Sequence, residues 1–162
     1  MERRQITDNR GKHFCVVMDG RTSGKFICRI LRHNQPVGHL VVSSFYSTWH
    51  IDGLLIGESP DENRAGLLRF FRRHGPARYR RHGLGTKILR LLVAEARSRG
   101  IRQITGEVVP ENPKDAEPLK RFYERMGFGI GEKPAHADER AVASIVMNVA
   151  TATDDDPASC GS

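Results

Sequence analysis

Cysteine is scarce in this chain, acid is outnumbered by base, and no apolar run is long. The three cysteines, Cys15, Cys28 and Cys160, are an odd number without CxxC spacing. Two of them sit in apolar, strand-like runs, where cysteine behaves as a small hydrophobe, so neither a disulfide framework nor a zinc site is expected. The histidines form neither HxxxH nor HExxH, and spacing therefore gives no metal site. No apolar stretch approaches the roughly 18 residues of a membrane span. The opening Met1-Glu2-Arg3-Arg4-Gln5 leads into polar residues rather than the apolar core of a secretory signal. A soluble, cytoplasmic protein is the expectation. Repeats and interdomain linkers are absent too, so 1–150 is read as one domain, with 151–162, which contains Asp154-Asp155-Asp156, as a disordered acidic tail.

What the chain does have is concentrated positive charge. Of a net charge of +7, much falls on Arg69, Arg72, Arg73, Arg78, Arg80 and Arg81, flanked by His74 and His82. A phosphate-rich cofactor, an acidic protein or RNA would each suit such a patch, and charge alone does not choose among them.

Residue patterning predicts a meander followed by alternating helices and strands. Lys12–Met18, Phe26–Leu31, Val37–Tyr46 and Trp49–Ile56 read as strands separated by turn residues such as Asp19-Gly20 and His33-Asn34. Ser59-Pro60-Asp61-Glu62 has the form of a capping box and predicts a helix ending near His74, inside an insertion over 57–79. A second helix is expected from about Gly85, with Ile88, Leu89, Leu92 and Ala96 inward and Gly100 as its stop. Ile101–Val109 reads as a buried strand, and Asp115–Met126 as a helix with Leu119, Phe122 and Met126 inward and Gly127 at its end. Short strands over Phe128–Ile130 and Arg140–Val149 complete a mixed α+β chain.

The stretch Arg80-Arg81-His82-Gly83-Leu84-Gly85-Thr86 stands just before the most periodic helix. Two glycines allow dihedrals in which successive N–H groups converge on an anion, and the helix dipole adds about half a positive charge at that end. The spacing is neither that of a Walker A loop nor that of the dinucleotide GxGxxG fingerprint. Downstream comes Arg121-Phe122-Tyr123-Glu124-Arg125-Met126-Gly127-Phe128.

With an RxxGxG loop and an FYExxGF segment in this order, the chain resembles the GNAT acyl-CoA-dependent N-acetyltransferases from roughly Trp49 to Phe128. The resemblance implies a GNAT-like fold: a mostly antiparallel sheet splayed at the cofactor site, with helices on both faces. It implies acetyl-CoA as co-substrate, its pyrophosphate held by Arg80, Gly83 and Gly85 with the amides of Arg81, His82, Leu84 and Thr86. Tyr123 matches the tyrosine that protonates the departing CoA thiolate. Glu107 lies on the strand that diverges to admit the pantetheine arm. Three departures stand out. The family's usual two helices between the first strands have only Asp19–Lys25 to occupy, the 57–79 segment is inserted before the loop, and Asn112 is further from Tyr123 than the family asparagine.

Chemistry then sets the remaining expectations. An alkyl ammonium of pKa about 10.4 must lose a proton before it attacks a thioester, which at pH 7 costs about 4 to 5 kcal/mol. Glu107 inside an apolar strand is the first candidate base, because burial would raise its pKa; Asp52 and His50, on one face of Trp49–Ile56, are the rivals. The expected activity is acetyl transfer to a primary amine of a small molecule or protein. A toxin-like enzyme acetylating aminoacyl-tRNA and a non-catalytic acyl-CoA-binding domain are the alternatives, with nucleic acid as a less favoured partner and a homodimer left open.

Overall fold

The computed structural model describes residues 2–20, 24–56 and 83–149. Among the described residues, eight strands are hydrogen-bonded in the order β1-β2-β3-β4-β5-β6-β8-β7, an open and mostly antiparallel sheet, and two α-helices accompany them. The predicted helix over Ser59–His74, the rest of the 57–79 insertion and the 151–162 tail lie outside the described residues. The described residues fall into two compact units, one drawn from 1–44 and 51–90 and the other from 45–50 and 91–162.

In the first unit β1 (Glu2–Thr7), β2 (His13–Asp19), β3 (Lys25–Arg32) and β4 (Gln35–Phe45) form an antiparallel meander. The register pairs Gln5 with Cys15, Val17 with Arg29 and Cys28 with Leu40. Strand β3 buries every second residue, Phe26, Cys28 and Ile30, which is the period of a strand with one face in a core. His33 and Asn34 both take positive φ, 51° and 62°, as the two-residue turn of a tight hairpin requires. Gly38 is needed for close approach: a Cβ there would lie 2.6 Å from the Leu55 carbonyl oxygen. Strand β1 was not foreseen, since its exposed, charged residues leave only Ile6 as an apolar signal. Main-chain pairing to β2 holds it, and its charges suit a sheet edge. The turn from β1 to β2 occupies only 8–12, so this connection also has no room for the helices usual in the resembled family.

Strand β5 (Thr48–Ile56) passes from the second unit to the first between His50 and Ile51. Helix α1 (Leu84–Ser98) runs from the first unit into the second, and Ile88, Leu89, Leu92 and Ala96 are all fully buried, as its periodicity predicts. Its end uses Gly100 in the left-handed region (φ 69°), with Ile101 N–H reaching the Ala96 carbonyl at 2.9 Å and Gly100 N–H reaching Arg97 at 3.1 Å. Nearby, Glu95 is ion-paired to Arg99 at 2.7 Å, and the Arg99 guanidinium lies 5.9 Å from the centre of the Trp49 ring.

Within the second unit, Ser47 accepts hydrogen bonds from Arg102 N–H and Gln103 N–H, and three residues on His50 meets Thr105. Both partners rise in number together, so the start of β5 runs parallel to β6 (Gln103–Val108), the sense that a helical crossover demands. Strand β8 (Ala143–Asn148) pairs antiparallel with β6 and with β7 (Gly129–Gly131), with Glu107 opposite Ser144 and Ile130 opposite Ile145. A short 3-10 turn, Pro113–Asp115, leads into α2 (Ala116–Arg125). The expected inward residues of α2, Leu119, Phe122 and Met126, are only half-buried. The buried face centres on Tyr123, one step further round the helix, because α2 packs by that side on β6 and β7.

Candidate functional site

The glycine loop enters the described structure at Gly83; Arg80, Arg81 and His82 lie outside it. Gly83 has φ 76°, which an L side chain resists, and its carbonyl accepts from Lys87 N–H at 3.1 Å, the first bond of α1. The N–H groups of Leu84, Gly85 and Thr86 precede that bond and have no carbonyl within the helix to meet. Leu84 is fully buried and anchors the turn, while Gly85 and Thr86 are half-exposed. The first turn of α1 carries no acidic residue. This end of the helix therefore offers amides and a positive dipole with no acid in its own first turn, which suits a phosphate group.

The remaining sequence-predicted groups, apart from Asp52, belong to the second unit. Tyr123 is 6% exposed, and its ring packs edge-on against Phe122 (centroids 5.3 Å apart) and Phe128 (5.6 Å). Burial pushes its phenol up to about 12, so the O–H is held through the neutral range. Its backbone is fixed as firmly as its ring. Gly127 sits at φ 92° with its N–H on the Glu124 carbonyl at 2.9 Å, and Phe128 N–H reaches back to the Tyr123 carbonyl at 3.0 Å. The Tyr-x-x-x-Gly-Phe spacing is thus a helix stop that locks the tyrosine to the following aromatic.

Glu107 is half-buried, not enclosed as an apolar strand would suggest. Its carboxylate accepts from the Asp138 N–H at 3.2 Å, and the Asp138 carboxylate is in turn tied to Arg140 at 3.2 Å. His50 Nδ1 lies 3.0 Å from Thr105 Oγ1, which can donate to it or accept from it according to tautomer. Thr105 and Glu107 share one face of β6, opposite the buried Ile104 and Val108. Asp52, in the first unit, is exposed and accepts from the Ser43 hydroxyl at 2.6 Å. Asn112 caps the 3-10 turn, accepting from Lys114 N–H at 3.3 Å, a local role that accounts for its position. Thr105 and Asp138 were missed by sequence reasoning. Matching parity along β6 could have flagged Thr105, but nothing local announces a partner 55 residues away. Among the described residues no cluster of three or more His, Cys, Asp or Glu could hold a metal ion, and no helix is long and apolar enough to cross a membrane.

A sequence model described as the Acetyltransferase (GNAT) family matches residues 3–128. The chain belongs to the GNAT acetyltransferase family. The match takes in the meander, the glycine loop and the tyrosine-bearing helix, and it ends at Phe128, before β7 and β8. Solved GNAT structures share the fold at low identity. The GNAT domain of S. lividans PAT superimposes with a TM-score of 0.63 at 9% identity, over 90% of this chain and 96% of that one. The ribosomal-protein-S18-alanine N-acetyltransferase of Escherichia coli gives 0.54 at 16%, over 83% and 76%. The PaiA N-acetyltransferase of Thermoplasma acidophilum, solved with coenzyme A, gives 0.54 at 11%, over 77% and 61%. No curated protein sequence matches this GNAT chain.

Proposed function

We propose that this GNAT chain, acting as one domain over 1–150, transfers an acetyl group from acetyl-CoA to a primary amine of a small molecule or protein within a ternary complex. The observation that carries the reading is the start of α1: a left-handed Gly83, amides after it that have no intrahelical carbonyl, and no acid in the first turn. Family membership and the coenzyme A bound to the T. acidophilum relative support acyl-CoA as the ligand for Arg80–Thr86. The E. coli relative is named for a protein alanine, in keeping with an amine acceptor.

In the reaction the neutral amine nitrogen attacks the thioester carbonyl carbon, the new C–N bond forms and the C–S bond breaks. The nitrogen gives up one proton and the departing thiolate gains one. Glu107, with His50 and Asp52 as rivals, is assigned the nitrogen's proton; the partly open setting of Glu107 suits a base that passes protons to solvent. Tyr123 is assigned the sulfur side. A phenol near 12 facing a thiol near 8.5 gives full proton transfer an uphill step of about 5 kcal/mol. The role that fits Tyr123 is therefore hydrogen-bond donation to the developing thiolate, with solvent completing its protonation.

The arginine cluster at 69–81 favours a second reading, an acceptor carried on tRNA. Thermal shift with acetyl-CoA, CoA and tRNA, followed by free-thiol release across a panel of amines, separates the readings. Acetyl-CoA should raise the melting temperature by mass action, and Gly83→Val or Gly85→Val should abolish the shift. Wild-type affinity in both valine variants would remove the loop from the reading. Binding without thiol release on any amine or on aminoacyl-tRNA would leave a non-catalytic acyl-CoA module.

A further inference from the structure

The turn between β1 and β2 is built around Asp8, 4% exposed, whose Oδ1 accepts from Arg10 N–H at 2.9 Å and Lys12 N–H at 2.8 Å. Main-chain bonds from Asp8 N–H to Lys12 (2.9 Å) and from Gly11 N–H to Asp8 (3.2 Å) close the same turn. Four hydrogen bonds within five residues leave the backbone of Asn9 little freedom. Asn9 itself makes no bond of that set. Its carboxamide lies on Gly83, in the same compact unit but 74 residues away by sequence number (83 − 9). The place a Cβ on Gly83 would occupy is 2.5 Å from Asn9 Nδ2, 2.6 Å from Oδ1 and 2.7 Å from Cγ. All three atoms lie within 2.7 Å, so the carboxamide of Asn9 occupies the space a side chain at 83 would need.

The positive φ of Gly83 disfavours any side chain there, and a Cβ would in addition displace the Asn9 amide. We infer that Asn9 is a positioning residue for acyl-CoA, acting through Gly83: the β1–β2 turn holds the glycine in its left-handed state and so aims the amides of Leu84, Gly85 and Thr86. The inference rests on the reading of the glycine loop as the phosphate site. Its logic is mechanical. A glycine free to visit many conformations must be ordered at the moment of binding, and a neighbour that orders it beforehand removes that cost from the ligand. The family match begins at residue 3 and so includes this turn, but nothing in the sequence near Asn9 announces the contact.

The test is a double-mutant cycle on acetyl-CoA affinity, measured by calorimetry on the whole chain. Asn9→Ala should weaken binding by about 3- to 30-fold, the range for residues in direct contact, with the unliganded melting temperature nearly unchanged because Asn9 is exposed. Gly83→Ala should lose more, since alanine meets both the unfavourable φ and the Asn9 amide. In the double variant the steric part is relieved, and the combined loss should fall about 3-fold or more short of the product of the single losses. Asn9→Ser, which keeps a short polar group in the turn, should lie between wild type and Asn9→Ala and provides the same cycle should the alanine variant fold poorly. Multiplicative losses, or wild-type affinity in Asn9→Ala, overturn the inference while leaving the loop reading in place. Wild-type affinity in both Gly83→Ala and Gly83→Val overturns the loop reading, and this inference with it.

Discussion

Replacing Tyr123 by phenylalanine removes one oxygen from a buried ring and leaves its packing on Phe122 and Phe128 in place. If the phenol only donates a hydrogen bond to the leaving thiolate, the loss is that of one bond to a charged acceptor, about 1.5 to 3 kcal/mol, or roughly 10- to 150-fold in turnover. Acetyl-CoA affinity should hardly change, because the bond strengthens only as charge develops on sulfur. The pH dependence is sharper still. With the phenol raised to about 12, its protonation state is constant from pH 6 to 10, so the ratio of wild-type to Tyr123→Phe turnover should be flat over that range. The same burial has a consequence for folding. Above pH 10 the unfolded chain releases the phenolic proton while the native chain keeps it, so stability falls as pH climbs from 10 towards 12, by about 3 kcal/mol in all. Free-thiol release gives the turnover ratio, and urea unfolding at pH 9 to 11.5 gives the stability slope. A turnover ratio that collapses between pH 8 and 10, or an alkaline slope identical in Tyr123→Phe, would refute the reasoning.

Three further outcomes are expected. Glu107→Gln should lose activity at pH 7 and recover towards pH 9.5, where more acceptor amine is deprotonated unaided; the same recovery in Asp52→Asn or His50→Gln, and not in Glu107→Gln, would move the base to that residue. Arg99→Ala should lower stability by about 1 to 3 kcal/mol, because it removes the 2.7 Å bond to the buried Glu95 and the cover of Trp49, with a shift in tryptophan emission as the companion signal. Phe128→Ala should cost about 3 to 5 kcal/mol and loosen the Tyr123 ring, read as a lower melting temperature together with reduced turnover; unchanged turnover would separate the two aromatics functionally.

Where the sequence is periodic, it locates structure well. Ile88, Leu89, Leu92 and Ala96 announce α1, and Gly100 and Gly127 announce the helix ends, because a buried stripe and a left-handed stop each leave a local mark. The strand Trp49–Ile56 is found within a residue of β5 for the same reason. Strand β1 leaves no such mark: its main chain is what pairs, and its side chains are chosen for the solvent. In the candidate site, the glycine loop and Tyr123 are legible as short motifs. The surroundings of the candidate bases are not. That Glu107 is half-open beside Asp138, or that His50 meets Thr105, depends on residues brought together by strand pairing and by the 132–142 loop. Asn9 shows the same limit, since its contact with Gly83 joins two turns that no local pattern connects.

The hydrogen bond from Phe128 to the Tyr123 carbonyl spans five residues, and the other main-chain bonds at the end of α2 are as short. Closing so small a ring carries little entropic cost and needs no sheet to be assembled first. The backbone that carries the phenol is therefore shaped by a brief segment, whose bonds close without any long-range pairing. Its weak point is a residue with no side chain: a β-branched residue at 127 would oppose φ 92°, unwind the last turn and tilt a tyrosine it never touches.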